Sequence, residues 1–200
     1  MIWLEVTVEG HSDHAGPSPV HARRDPMATA AAAMDRIATL PTRLSADART
    51  TIGKVTTDPG SVNVIPSEVT FTVDLRSYDE DVLDRGRDLV ESELEAACTR
   101  HGTAFELEVL WRMPPTEFAT SVRNTLEHAA ATAGVSTQQL VAGANHDACS
   151  LNGRTDTGLI FVPSVDGISH SPEEFTEWAD CVAGAEVYAN AVHELASIDD

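Results

Sequence analysis

Nine residues set the frame for everything else. From Glu68 to Arg76 the chain alternates without a break: Phe71, Val73 and Leu75 share one face, and Thr70, Thr72, Asp74 and Arg76 share the other. Successive side chains of a strand point to opposite sides of a sheet, so this segment buries one face and wets the other. The buried face needs a cover, and the sequence supplies two amphipathic helices. Asp25-Pro26 reads as an N-cap followed by proline at the first helical position. Met27, Ala30, Met34 and Ile37 then recur at helical spacing until Leu40-Pro41 stops the run. Asp79 and Asp81 open the second helix, whose stripe is Leu83, Gly86, Val90, Leu94 and Ala97, ending at His101-Gly102. Trp3 to Glu9, about 50–57 and Phe105 to Trp111 read as the remaining strands. The order is β-α-β-β-α-β, the split βαβ pattern. It predicts a domain over 1–113, closed by Met113-Pro114-Pro115.

Residues 114–200 read differently. A helix near Phe118 to Ala133 ends at Gly134, a short strand follows, and Leu159 to Val162 forms an apolar strand. A loop from Pro163 to Ser171 leads to a last helix near 177–196. One or two strands are few for a sheet that typically has ~4–6, so this piece resembles the end of an α/β domain. The overall expectation is α/β: a ferredoxin-like α+β domain, then part of an α/β domain. Missing partner strands would leave apolar surface bare, which predicts poor solubility or dependence on a companion chain.

Charge narrows the partners. Thirteen basic residues face 32 acidic ones, a formal net charge of -19. Nucleic acid binding needs cations that displace counterions, and anionic membranes repel such a chain as well. Lys54 is the only lysine, and an acidic, nearly lysine-free chain fits a high-salt cytoplasm, where self-repulsion is screened. No apolar run reaches the ~20 residues of a membrane span, and the N-terminus lacks the basic and apolar regions of a signal peptide. Cys98, Cys149 and Cys181 are widely spaced, which predicts reduced thiols in a cytoplasmic protein.

Taken singly, the candidate chemical residues are ambiguous. His11 and His14 bracket a turn-rich loop, where a histidine is ordinarily a turn residue, although i, i+3 spacing also suits a metal. Arg76 beside Asp74 reads first as an exposed ion pair worth under ~1 kcal/mol, and second as a rigid fork for a substrate carboxylate. Asn63 reads as a strand-entry residue. Ser171, Pro172 and Glu174 match N-cap, N1 and capping-box positions, so His170 either precedes a helical turn or is held by it as a zinc ligand.

Their order and wording are more specific. Asp13-His14-Ala15-Gly16, Arg23-Arg24-Asp25, Pro59-Gly60-Ser61-Val62-Asn63-Val64-Ile65-Pro66, Asp74-Leu75-Arg76, His146-Asp147-Ala148 and Ile160-Phe161-Val162-Pro163-Ser164 through Gly167-Ile168-Ser169-His170-Ser171-Pro172-Glu173-Glu174 together resemble the M20 metallopeptidase/amidohydrolase clan. More narrowly, they resemble its N-carbamoyl-L-amino-acid hydrolase and allantoate amidohydrolase branch. The resemblance implies a zinc-binding α/β domain interrupted by a lid, or dimerisation, domain, with a homodimer formed through the lid. It implies two divalent ions, zinc first, with Mn, Co or Ni as alternatives. His14 would reach into the partner subunit's site and stabilise an oxyanion there. Asn63 and Arg76 would bind substrate, Arg76 at its carboxylate. Asn145 and His146 would lie against substrate, and His170 would ligate metal. Asn145 departs from the glycine usual in the family, and its side chain would shrink or re-aim the pocket.

The family's other metal ligands and its glutamate base lie upstream of the lid. The expectation is therefore the C-terminal half of such an amidohydrolase, with these residues converging on a pocket that the other half completes, and the 200-residue chain alone catalytically silent. Two alternatives remain: a fragment of an M20 aminoacylase or dipeptidase, and a non-catalytic ferredoxin-like module pairing edge to edge. The charge gives a direct expectation. The thermal midpoint should climb steeply from low to molar KCl in a calorimetric series, and a flat response contradicts salt adaptation.

Overall fold

The computed structural model describes residues 1–197. The chain divides into two compact units, Met1–Pro115 and Thr116–Asp200.

In the first unit, strands β1 (Ile2–Glu9), β3 (Arg49–Asp58), β5 (Glu68–Arg76) and β6 (Ala104–Arg112) form a sheet of order β3-β5-β1-β6. All neighbours are antiparallel, with Val6 opposite Phe71 and Leu4 opposite Val73 across β1 and β5. A two-residue ladder, β2 (Asp13–His14) with β4 (Val64–Ile65), lies beyond one end of the sheet. Helices α1 (Pro26–Ala38) and α3 (Glu80–His101) cover one face, and the short α2 (Pro41–Leu44) follows α1. The core is the one the alternation predicted. Phe71, Val73 and Leu75 are buried with Ile2, Leu4, Val6 and Val8 from β1, Ala30, Ala33 and Ile37 from α1, and Leu83, Val90 and Leu94 from α3. The helices start where side chains cap them. Asp25 accepts from the N–H groups of Met27 and Ala28, and Asp79 accepts from Asp81. Gly102 ends α3 in the left-handed region at φ 67°, which costs glycine nothing. Gly86 lets α3 settle on the sheet, since a Cβ there would lie 2.7 Å from Leu75 Cδ2.

The solvent face of the sheet carries like charges in register. Glu5 stands opposite Glu108, and Glu9 opposite Glu68. Directly opposed carboxylates destabilise a pair, so the acidic composition reaches into the sheet itself. Trp3 and Trp111 pack against each other on the same face, with ring centroids 5.1 Å apart and planes tilted by 47°.

The second unit holds α4 (Thr120–Thr132), α5 (Asp147–Leu151) and α6 (Trp178–Ala196). Its core is small: Ala129, Ala130, Val187 and Ala191 where α4 meets α6. The two strands expected here do not form among the described residues. Leu159 to Val162 is wedged between the helices, since a Cβ on Gly184 of α6 would meet Val162 Cγ1 at 2.4 Å and one on Gly158 would meet Val122 Cγ1 of α4 at 2.6 Å. No neighbouring strand offers it a ladder, and a strand is defined by that pairing. The bare apolar surface is present: Trp178 is 79% exposed and Phe161 51%. No helix among the described residues is long and apolar enough to cross a membrane.

Two consequences are measurable. Asp25→Ala should destabilise the first unit by about 1 kcal/mol through loss of the cap, a fall of a few degrees in thermal midpoint. Glu93 of α3 bonds Arg43 and, at 3.4 Å, Arg36, and the Arg43 bond above all holds its carboxyl below the usual 4.5. A depressed carboxyl stabilises above its unfolded value, and the contribution disappears as pH falls through the folded one. Glu93→Gln should therefore flatten the acid limb of a stability-against-pH curve: its deficit is greatest and constant near neutrality and shrinks as pH falls.

Candidate functional site

The first cluster grows from the β2–β4 ladder. His14 pairs with Val64, and the next N–H, that of Ala15, donates to the Asn63 carbonyl at 3.0 Å. The two candidates His14 and Asn63 are thus brought to one end of the sheet by backbone bonds, and both are exposed. The turn after His14 orients its ring. Gly16 N–H donates to His14 Nδ1 at 3.0 Å, and a Cβ on Gly16 would crowd that ring at 3.3 Å. Asp13 accepts from the His14 N–H at 2.7 Å, and bonds from Ser18 and His14 hold its carboxyl below the usual range. With Nδ1 accepting, the neutral imidazole carries its proton on Nε2, as a donor facing outward.

Arg76 stands at the other end. Its fork closes on Asp74, Nε donating at 3.0 and 3.1 Å and Nη2 at 2.6 Å, and this bond raises the pKa of the guanidinium. The carboxylate fixes the plane of the fork on a rigid strand, with the side chain about one-third exposed. Glu68 and Arg76 are the two ends of the nine-residue β5, about 26 Å apart at ~3.3 Å per step. His14 and Asn63 lie beyond the Glu68 end, so the first unit by itself does not put Arg76 and His14 on the same small molecule.

The second unit carries the other candidates. His146 stands before α5, packs edge-on against Phe161 at 5.2 Å, and keeps a buried Nε2 without a hydrogen-bond partner among the described residues. Asn145 beside it is exposed. His170 is exposed and adopts a left-handed backbone, φ 58°, uncommon for a residue with a side chain. The expected helical turn at Ser171 is a tight turn instead, closed by Glu174 N–H on the Ser171 carbonyl at 3.0 Å. The Glu174 carboxylate accepts from the His170 N–H at 2.8 Å, one residue earlier than a capping box requires, because the left-handed residue turns that N–H toward it.

A catalytic zinc takes three protein ligands and a water. Among the described residues no group of three or more His, Cys, Asp or Glu could hold a metal ion, and His170 is a single imidazole. The described residues of this chain do not by themselves fit a metal centre.

One residue that bonds the turn after His14, Arg23, was not assigned a role from sequence. Arg23 donates to the Ala15 carbonyl at 2.7 Å and to the Ser18 carbonyl at 2.9 and 3.0 Å. Nothing in a sequence announces an arginine that serves backbone carbonyls.

The chain has relatives among known proteins. The chain is 35% identical over 98% of its length to the N-carbamoyl-L-amino acid amidohydrolase of Geobacillus stearothermophilus, covering 48% of that protein. It is 29% identical over 96% of its length to the allantoate amidohydrolase of Bacillus subtilis, covering 46% of it. The crystal structure of an amidase of the hydantoinase/carbamoylase family from Burkholderia vietnamiensis superposes with a TM-score of 0.87 at 34% identity, over 95% of this chain and 46% of that one. The chain spans about half the length of the curated relatives it matches. Residues 6–194 match the model of peptidase family M20/M25/M40, and the chain belongs to that family.

Proposed function

We propose that this chain supplies the substrate-binding and oxyanion-stabilising residues of a homodimeric amidohydrolase. Its substrate is a linear C–N bond of a carbamoyl or ureido group beside a carboxylate, as in N-carbamoyl-L-amino acids or allantoate. Arg76, its plane set by Asp74, grips the substrate carboxylate. Asn63 offers its amide to the carbamoyl or ureido group. His14 presents Nε2–H to the oxygen that gains charge during attack on the carbonyl. Asn145 and His146 border the substrate. A divalent ion, zinc first, belongs to the proposal, and His170 is the one imidazole this chain offers it.

The observation that carries the reading is the division of His14 and Arg76 between opposite ends of one sheet. A two-fold dimer resolves it, because His14 and Asn63 of one protomer then meet Arg76 of the other. The edge strands β3 and β6 give such a dimer a means of pairing. Free thiols at Cys98, Cys149 and Cys181 support a reducing, cytoplasmic setting.

The test joins this chain to the segment of the Geobacillus relative that the match leaves uncovered, and follows metal-dependent hydrolysis. N-carbamoyl-L-amino acids or allantoate should be turned over, and Arg76→Ala should raise KM by about 10–100-fold, the worth of a charge-assisted pair. A preference for N-acyl amino acids or dipeptides would favour an aminoacylase or dipeptidase. No turnover, or an unchanged KM in Arg76→Ala, would contradict the proposal.

A further inference from the structure

His14 has one task under the proposed function, to present a hydrogen, and a neutral imidazole presents it from one nitrogen only. The Gly16 N–H on Nδ1 selects Nε2. That bond holds only while the turn from Ala15 to Ser18 keeps its shape. The turn is largely exposed, and besides Arg23 it is braced by the two-residue β2 strand, the Ala15–Asn63 bond and the bond between the Ser18 and Asp13 side chains.

Arg23 adds the bonds that reach the turn from outside it. Its Nη2 reaches the Ala15 carbonyl at 2.7 Å and the Ser18 carbonyl at 2.9 Å, and its Nε reaches Ser18 again at 3.0 Å. The two carbonyls flank Gly16 in sequence. In a chain with 32 acidic residues, Arg36, Arg43, Arg76, Arg87, Arg112 and Arg123 all pair with carboxylates. Arg23, like Arg49 and Arg85, donates to backbone carbonyls instead, and it spends three bonds on two oxygens while half-buried. A planar fork with fixed donor spacing spans two carbonyls at once, and a lysine ammonium does not.

We infer that Arg23 is the positioning residue of His14: by bridging the carbonyls of Ala15 and Ser18 it holds the Gly16 N–H on Nδ1 and so fixes the Nε2–H form of the ring. Arg23 acts through the turn and touches no substrate. The inference rests on the oxyanion role given to His14, but its test does not. Long-range ¹H–¹⁵N correlation on the whole ¹⁵N-labelled chain, at about pH 8.5 where histidine is neutral, reads the tautomer with neither substrate nor metal. The wild-type His14 should be dominated by Nε2–H. In Arg23→Ala the Nε2–H to Nδ1–H ratio should fall about fivefold, the worth of one net hydrogen bond, with the circular dichroism of the sheet unchanged. Arg23→Lys should show a smaller fall, and it decides the matter alone if Arg23→Ala does not fold. A mixed wild-type ring, an unchanged ratio in Arg23→Ala, or an Arg23→Lys ratio equal to wild type would overturn the inference. The oxyanion role fails separately, through unchanged turnover of the completed enzyme carrying His14→Ala.

Discussion

The pairing of β5 between β1 and β3 is the constraint on which the rest depends. Val69, Phe71, Val73 and Leu75 are buried along its inner face, and a one-residue slip would send all of them to solvent. That cost fixes the register, and the register fixes where Arg76 stands. The same strand begins beside Ser67, whose carbonyl takes the Gly10 N–H at 2.8 Å, and from that junction the β2 and β4 segments leave to carry His14 and Asn63. A packed sheet cannot bend to bring its two ends together. The distance between His14 and the Arg76 fork is therefore a property of the fold, and the dimer proposed above is an answer to it.

Electrostatics work against this sheet as well as for it. Opposed glutamates at Glu5–Glu108 and Glu9–Glu68 repel, while Arg36, Arg43, Arg76, Arg87, Arg112 and Arg123 are committed to neutralising pairs. Arg112, for example, bonds both Asp84 and Glu80. Pairs this exposed contribute little each, so stability comes from the apolar layer and the surface charge sets its salt dependence. In that setting a guanidinium committed to carbonyls, as Arg23 is, marks a place where shape matters more than charge balance.

How much was legible in the sequence depended on how local the cause was. The β5 alternation, the Asp25 and Asp79 caps and the Gly102 terminus each draw on neighbours within a few residues, and these elements form where the pattern places them. Leu159 to Val162 is as apolar as a buried strand, yet apolar character without a pairing neighbour made a wedge between helices instead. The β2–β4 ladder is too short to leave a periodic signal, so the meeting of His14 with Asn63 was carried by family resemblance rather than by pattern. Glu174 matched a capping box, and its carboxylate went to His170 because a left-handed residue, invisible to a helix rule, had turned the chain.

The most direct measurement is subunit mixing in the completed enzyme. Chains carrying only His14→Ala and chains carrying only Arg76→Ala would be purified separately, unfolded, mixed and refolded together. If each site takes Arg76 from one protomer and His14 from the other, the mixed dimer owns one intact site, and activity returns well above either parent. If both residues serve the same protomer's site, every site in the mixture stays defective. Activity no higher than the average of the two parents would contradict the account.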